Sequence, residues 1–596
     1  MILRPVFLLV TALFVVACGN GQPTDSQVTA DGPTETLNRL FDEHFERSLE
    51  LSPIGATSIG DDRYDDQYAN SIGPEHREAS RALDEEFLQR ILAIDRDGLS
   101  QQDKLSYDIF KLNREISLAG KKFPRHLAPM NQFRSATSSF VNLGSGTGIH
   151  PFKTVKNYDD FLGRIDGFVV YVDQAIDNMK DGIRQGVTQP KILMAKLVPQ
   201  LESQLVDSVE ESGFYSPILN MPDDFSEADK ERLSDAYKEA IANKILPAFE
   251  RLNNFIGDEY LSAARESVGL FDLPDGEAWY AHNVRAITTT DYTPLEIHQI
   301  GLGEVERIHG EMRSVMESVG FEGSLNEFFE YVYSDPQFFF DEPEKLIQAY
   351  RDMSAHIEGL APGLFKLFPK TPFEVRRVEP FREASSSKGS YQSGSPDGSR
   401  PGIFYANAYN VGIRPKWDMT SLFLHEAIPG HHFQISLARE SEDLPRFRRF
   451  GGSTAYTEGW GLYSEYLGRE MGLYEDPMDL FGSLNAELWR SIRLVVDTGI
   501  HAKGWTRQQV LDFMYANSAV SETRAVSEAE RFMAIPGQAL AYKIGQLKIL
   551  EIRRSAEARL GDAFDIREFH AQLLKDGSMP LSMLEAKMNR WVESLM

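Results

Sequence analysis

Leu424 to Gln434 reads LHEAIPGHHFQ, a stretch that gathers side chains able to bind and use a metal ion. Imidazole nitrogens and carboxylate oxygens are ligands that zinc takes from proteins. In the motif H-E-x-x-H, two histidines one helical turn apart hold the ion and the glutamate serves as general base. His425 and Glu426 open such a motif, but Pro429 stands where the second histidine would be, and histidines return only as His431 and His432.

In a straight helix His432 would share the face of His425 but lie about 10 Å along the axis, too far for both to reach one ion at about 2.0–2.1 Å. His431 would be closer along the axis but rotated away. Pro429 lacks the N–H that would bond the carbonyl of His425, and Gly430 tolerates dihedrals closed to other residues. The pair therefore predicts a bulge or broken turn that returns one of the two histidines to the side of His425. Glu426 would then act not as a ligand but as general base on a water activated by the metal. A third ligand is needed. The stretch TEGWGLYSE offers Glu458 and, two helical turns on, Glu465, one to ligate and the other to orient a ligand from behind.

The elements that must carry these residues are legible around them. A helix is expected to start near Asp418 as its cap, with Trp417 and Leu422 as a hydrophobic staple and the apolar run LFL leading into His425. From about Leu37 onward most segments show helical spacing, as in Leu37, Leu40, Phe41 and Phe45. Alternating strands are scarce; GIFYANAY, from Gly402 to Tyr409, is one of few β-like runs. Asn142 to Pro151 is rich in glycine but lacks the G-x-G-x-x-G spacing of a dinucleotide loop and is read as a plain loop. Ala384 to Gly402, rich in serine and glycine, is read either as a mobile lip of a cleft or as a solvated connector. The class expected is mainly α-helical, with a small β element beside the metal-binding helix.

Composition narrows the function. The net charge of −27 over 596 residues argues against nucleic acid as a partner, because such binding depends on basic surface that neutralises phosphates. Neither a G-x-S-x-G nucleophile elbow nor a phosphate-binding G-x-x-x-x-G-K-[ST] loop is present. At the N-terminus, Val6 to Ala17 is an apolar run too short to cross a bilayer as a helix and reads as a cleaved signal. It ends in VVAC, which resembles a bacterial lipobox. Cys18 is the sole cysteine, so an internal disulfide is excluded and lipidation at this residue is expected, with the acyl chains anchoring the protein to a membrane. Gly19, where an aspartate would retain the protein at the inner membrane, points by the same resemblance to the outer membrane, facing the periplasm. The expected organisation is a signal over 1–17, a flexible tether over 18–35 and a helical body over 36–596.

HEAIPGHH, TEGWGLYSE, VVDTGIHAKGW and PGQALAYKIGQLKI together resemble a family of bacterial secreted proteins and lipoproteins of unknown function. Its motifs are similar to those of gluzincin metallopeptidases. The resemblance covers about 400–550. It implies a gluzincin-like helical body around a deep cleft, one zinc ion per chain held by two histidines and a downstream glutamate, and a peptide substrate. Mapping Gly430-His431 onto the Gly-His of H-E-x-G-H variants makes His431 the second ligand, with His432 the alternative, and matches Glu458 to the family's ligand glutamate. The resemblance also offers His501 and Tyr542 as oxyanion donors and GIFYANAY as an edge strand that pairs with extended substrate. Arg490, Arg493, Arg524 and Arg531 are read as solvated or paired helix residues, and the remaining histidines, such as His298, His309 and His570, as packed or exposed. The function implied is zinc-dependent hydrolysis of peptides. Its rivals are a non-catalytic envelope-binding lipoprotein with a degenerate or structural metal site, and a zinc hydrolase of a non-peptide amide.

Overall fold

A computed structural model describes residues 32–379, 383, 386–395, 398 and 400–596. The expected signal, Cys18 and nearly all of the expected tether lie outside them. The first helix, α1 (Pro33–Leu51), has proline at its first position, where the missing N–H costs nothing, so residues 33–35 of the expected tether are helical.

Helix accounts for 69% of the structure and strand for one three-stranded sheet, so the mainly α-helical class holds. In the N-terminal third, α1 packs with α2 (Pro74–Leu92) and α3 (Gln101–Gly120) around Leu37, Phe41, Phe87 and Phe110. The long α4 (Val155–Gln185), opened by a Thr154/Asn157 capping box, anchors a second core of aromatic residues. Further on come α5 (Gly276–Thr288) and α6 (Pro294–Ser318). The sheet follows with β1 (Phe373–Arg377), β2 (Gly389–Gln392) and β3 (Gly402–Ala406).

The motif-bearing helices are α7 (Met419–Glu426), α8 (His431–Glu440), α9 (Thr454–Leu467), α10 (Pro477–Ala502), α11 (Glu522–Ala534) and α12 (Ala541–Leu560). Close approach of α9 and α12 depends on facing glycines: a Cβ at Gly545 would stand 2.0 Å from the Ala455 carbonyl and one at Gly459 would stand 2.5 Å from Gly545. A buried ion network ties α12 to α10 and α6, with Lys543 Nζ 2.5 Å from Glu487 and 2.8 Å from Glu304. No helix among the described residues is long and apolar enough to cross a membrane.

Two local expectations are corrected. The sheet order is β1-β3-β2, with β3 parallel to β1 and antiparallel to β2. GIFYANAY thus supplies the central strand, buried along its whole length, and cannot be the edge that receives a substrate. The edges are β1 and β2, the latter drawn from the Ser/Gly-rich stretch that sequence read as lip or connector. Asp418 precedes α7 but makes no side-chain cap; its carboxylate pairs with Lys388 instead, and a 3-10 turn, Lys416–Asp418, leads into the helix.

Candidate metal centre

The break between α7 and α8 does what Pro429 and Gly430 require. The helix stops at Glu426, the Ile428–Pro429 peptide is cis, and α8 restarts at His431. His432 N–H reaches back to the Ala427 carbonyl at 3.1 Å. Trp460 Nε1 on α9 donates to the carbonyls of Pro429 at 2.9 Å and Gly430 at 3.2 Å, serving acceptors that a broken helix would leave bare. Only glycine fits at 430, since a Cβ there would lie 2.0 Å from the His425 carbonyl oxygen.

The consequence is that His431 lies beside His425, with ring centroids 4.8 Å apart. Glu458 on α9 faces both, its Oε2 3.5 Å from His425 Nε2 and 3.7 Å from His431 Nε2. One ligand atom from each of His425, His431 and Glu458 falls within 4.8 Å of the others. His432 points elsewhere: its Nδ1 meets the Tyr391 hydroxyl at 3.0 Å and its ring packs on Phe373.

The residues fit a zinc ion. Two imidazoles and one carboxylate are a donor set that leaves a fourth position open. Behind His425, Glu465 Oε1 accepts from Nδ1 at 2.8 Å, turning Nε2 toward Glu458. Glu465 is itself held by Ser421 and Arg490, each at 3.1 Å. Burial alone would lower the His425 imidazole, yet Glu458, Glu465 and Glu426 push it up to about 9, so the pocket selects for positive charge. Burial and the neighbouring His425 take His431 down to about 4, leaving it neutral as a ligand must be. Its Nδ1 is buried without a partner, so no hydrogen bond at that nitrogen orients the ring.

Glu426 is next to His425 in sequence. Desolvation raises its carboxyl above the usual carboxylate range, the direction that a general base working near neutrality would need. Its Oε2 accepts from the backbone N–H of Tyr391 at 3.1 Å, so the outer edge of β2 lies against it. Tyr542, at the start of α12, stacks on His425 with centroids 6.2 Å apart, and the Arg493 guanidinium sits 4.8 Å over its ring.

His501 does not belong to this group. It is fully buried, its Nδ1 accepts from Leu270 N–H at 3.1 Å and its Nε2 donates to the Phe532 carbonyl at 2.9 Å. Both nitrogens are committed to backbone, and burial drives its pKa down to about 3. It braces α10 against α11 and has no hydrogen left for an oxyanion. Sequence reasoning passed over two residues that do touch the centre. Arg490 was read with the ordinary helix arginines, although its position 25 residues after Glu465 on α10 lets it grip that carboxylate. Tyr391, whose amide meets Glu426 and whose hydroxyl meets His432, was hidden in a serine-rich run; one aromatic residue amid small polar ones was the available signal.

The comparisons agree with this architecture. A crystal structure of a predicted lipoprotein from Colwellia psychrerythraea superposes with a TM-score of 0.86 at 28% identity, covering 95% of this chain and 100% of that one. A predicted lipoprotein of unknown function from Shewanella oneidensis gives 0.75 at 18% identity, covering 94% and 100%. No curated protein matches the sequence. A family model described as "Bacterial protein of unknown function (DUF885)" matches residues 53–588. With nearly the whole described body inside that match, the chain belongs to the DUF885 family of bacterial proteins.

Proposed function

We propose that this protein is a zinc-dependent hydrolase that cleaves peptides. The observation that carries the reading is the convergence of His425, His431 and Glu458 on one point, with His425 and Glu458 close enough to Glu426 to act on its charge. Zinc, when bound, supplies a Lewis acid that polarises a carbonyl and brings the pKa of water to about 7.

The protein's own groups then have distinct tasks. Glu426 takes the proton of the attacking water and returns it to the leaving amine. Tyr542, stacked against His425, directs its hydroxyl toward the developing oxyanion. The outer edge of β2, where Tyr391 N–H meets Glu426, receives an extended peptide through main-chain hydrogen bonds, which demand little of its sequence. Glu465 and Arg490 hold His425 in the one orientation that serves the centre.

A structural metal site would close with four protein ligands. Tyr391 and Ser436 hold His432 away from the other three, which favours the open, catalytic reading. The test is metal content by elemental mass spectrometry with peptide hydrolysis measured alongside. Glu426→Gln should keep zinc near one per chain and lose hydrolysis; full activity in that variant would remove Glu426 from the reaction, and a wild-type chain that takes up no zinc would end the proposal.

The lone Cys18 after an apolar run, and the lipoprotein description of both structural relatives, support a lipid anchor, and Gly19 after the cysteine favours the outer membrane, with the body in the periplasm. Cys18→Ser should move the protein from the membrane fraction to the soluble one.

A further inference from the structure

We propose that a second cleft, away from the metal ligands, binds a small organic polyanion carrying two or more phosphate or carboxylate groups. The cleft encloses about 950 Å³. It lies between α2, α3 and α5 on one side and, on the other, the end of α11 at Met533 and Ala534 with Pro536 just beyond it. In a chain of net charge −27 its wall carries Arg77, Arg81, Lys121, Arg125, Arg134 and Arg265, and Glu78 as the one carboxylate.

Three of these cations are already occupied. Lys121 pairs with Asp84, Arg81 with Glu78 and Glu85, and Arg265 donates to the carbonyls of Thr188, Ser267 and Gly269. The other three have no carboxylate among the described residues. Arg77 faces His126 Nδ1 at 3.2 Å. Arg125 rests on the neutral amide oxygen of Asn283, and the Arg134 side chain makes no hydrogen bond or ion pair among the described residues.

Like charges gathered in a recess repel one another and raise the local affinity for a counter-ion. Desolvation lowers Arg125, and the charge of Arg134 adds to the effect. Desolvation lowers Arg134 too, although solvent reaches both side chains. Burial and the Arg77 charge lower His126, and burial and Arg125 lower His282. A guanidinium fork matches phosphate and carboxylate in two parallel hydrogen bonds, and three such forks suit an ion with several charged groups.

The rest of the wall gives the ligand its second property. Trp279 lies under the Arg125 guanidinium at 5.6 Å and stacks on Phe123 at 5.7 Å with planes 13° apart. Leu270, Leu273 and Met533 continue the apolar side. The indole N–H of Trp279 is buried without an acceptor. A molecule with charged groups at one end and a flat or apolar body at the other uses both walls.

The experiment is isothermal titration of the full chain, kept in detergent, with inorganic tripolyphosphate and separately with citrate at low and high salt. Partners are the double variant Arg125→Glu/Arg134→Glu, the milder Arg134→Gln, and His425→Ala. At least one probe should bind the wild type, more weakly as salt rises. The double reversal should weaken binding by at least about tenfold and Arg134→Gln by about threefold, while His425→Ala should bind as the wild type does. Preference for tripolyphosphate assigns a phosphorylated ligand and preference for citrate a polycarboxylate. Failure of both probes to bind at low salt overturns the proposal, as does affinity indifferent to Arg134→Gln, an exposed position whose side chain has no partner among the described residues. Binding lost in His425→Ala would place the probe on the metal and overturn it equally, whereas the reading of the metal centre as a hydrolase stands or falls on Glu426→Gln.

Discussion

Glu465 Oε1 lies 2.8 Å from His425 Nδ1, and this contact decides which imidazole nitrogen faces Glu458. Replacing Glu465 with glutamine preserves its volume and an acceptor but removes the charge that makes His425 a strong donor to a metal. Zinc affinity should fall by about tenfold with little change in secondary structure, read by competition with a chromophoric chelator. Unchanged affinity would mean that packing alone orients the ring.

The two adjacent histidines separate cleanly. His431→Ala removes a group that faces Glu458 at 3.7 Å and should abolish stoichiometric zinc. His432→Ala removes a ring held by Tyr391 and Ser436 and should leave zinc near one per chain, at a modest cost in stability. The reverse pattern in elemental analysis would reassign the ligand.

Gly461 offers a way to disturb the centre without touching a ligand. On α9 its ideal Cβ would stand 2.7 Å from His425 Cε1 and 2.8 Å from Nε2, closer than real contacts allow. Gly461→Ala should push the His425 ring off the shared point and lose zinc, with an overpacking cost of about 1–3 kcal/mol in denaturant unfolding. Retained zinc would show that the helices have room to part.

His501 and Tyr542 should behave as opposites. His501→Ala strands the buried Leu270 N–H and Phe532 carbonyl and should cost about 3 kcal/mol of stability with zinc content unaffected. Tyr542→Phe keeps the stacked ring and should lower kcat by about tenfold or more at nearly constant KM. A Tyr542→Phe enzyme with wild-type kcat would take that hydroxyl out of the reaction.

Asp497 governs a pH dependence. Desolvation raises its carboxyl to about 7, against the hydrogen bonds it accepts from Tyr280 and Gly537. Its folded pKa thus exceeds the unfolded value of about 3.9, so the folded state binds the extra proton between the two. That stabilisation is complete below about pH 4 and is lost as pH rises through about 7. Asp497→Asn mimics the protonated form and should be more stable than the wild type at pH 8 by up to about 4 kcal/mol. The two should converge at pH 4 to 5 in urea unfolding, and parallel curves for them would refute the assignment.

The parts legible in sequence were those governed by local chemistry. Helical periodicity announced the mainly helical body, and Pro429-Gly430 announced a broken helix because both residues act on their own backbone. What stayed hidden depends on distant partners. Asp418 is a good cap by type, but Lys388, 30 residues earlier, takes its carboxylate. GIFYANAY reads as a strand, yet whether a strand is central or at the edge depends on its neighbours, and Gly389–Gln392 is too short and polar to advertise itself. His501 stood beside the right motif and still packed into backbone, because burial and both its partners come from segments far off in the chain.

A regular helix carries its two ligands at one pitch, so their separation is a constant of the backbone. Here His425 and His431 ride on separate helices, joined by a turn whose carbonyls are clamped by Trp460. Their spacing is therefore a tertiary quantity, adjustable by substitutions that touch neither ligand, and trimming the indole at 460 becomes a means of retuning which ionic radius the centre prefers.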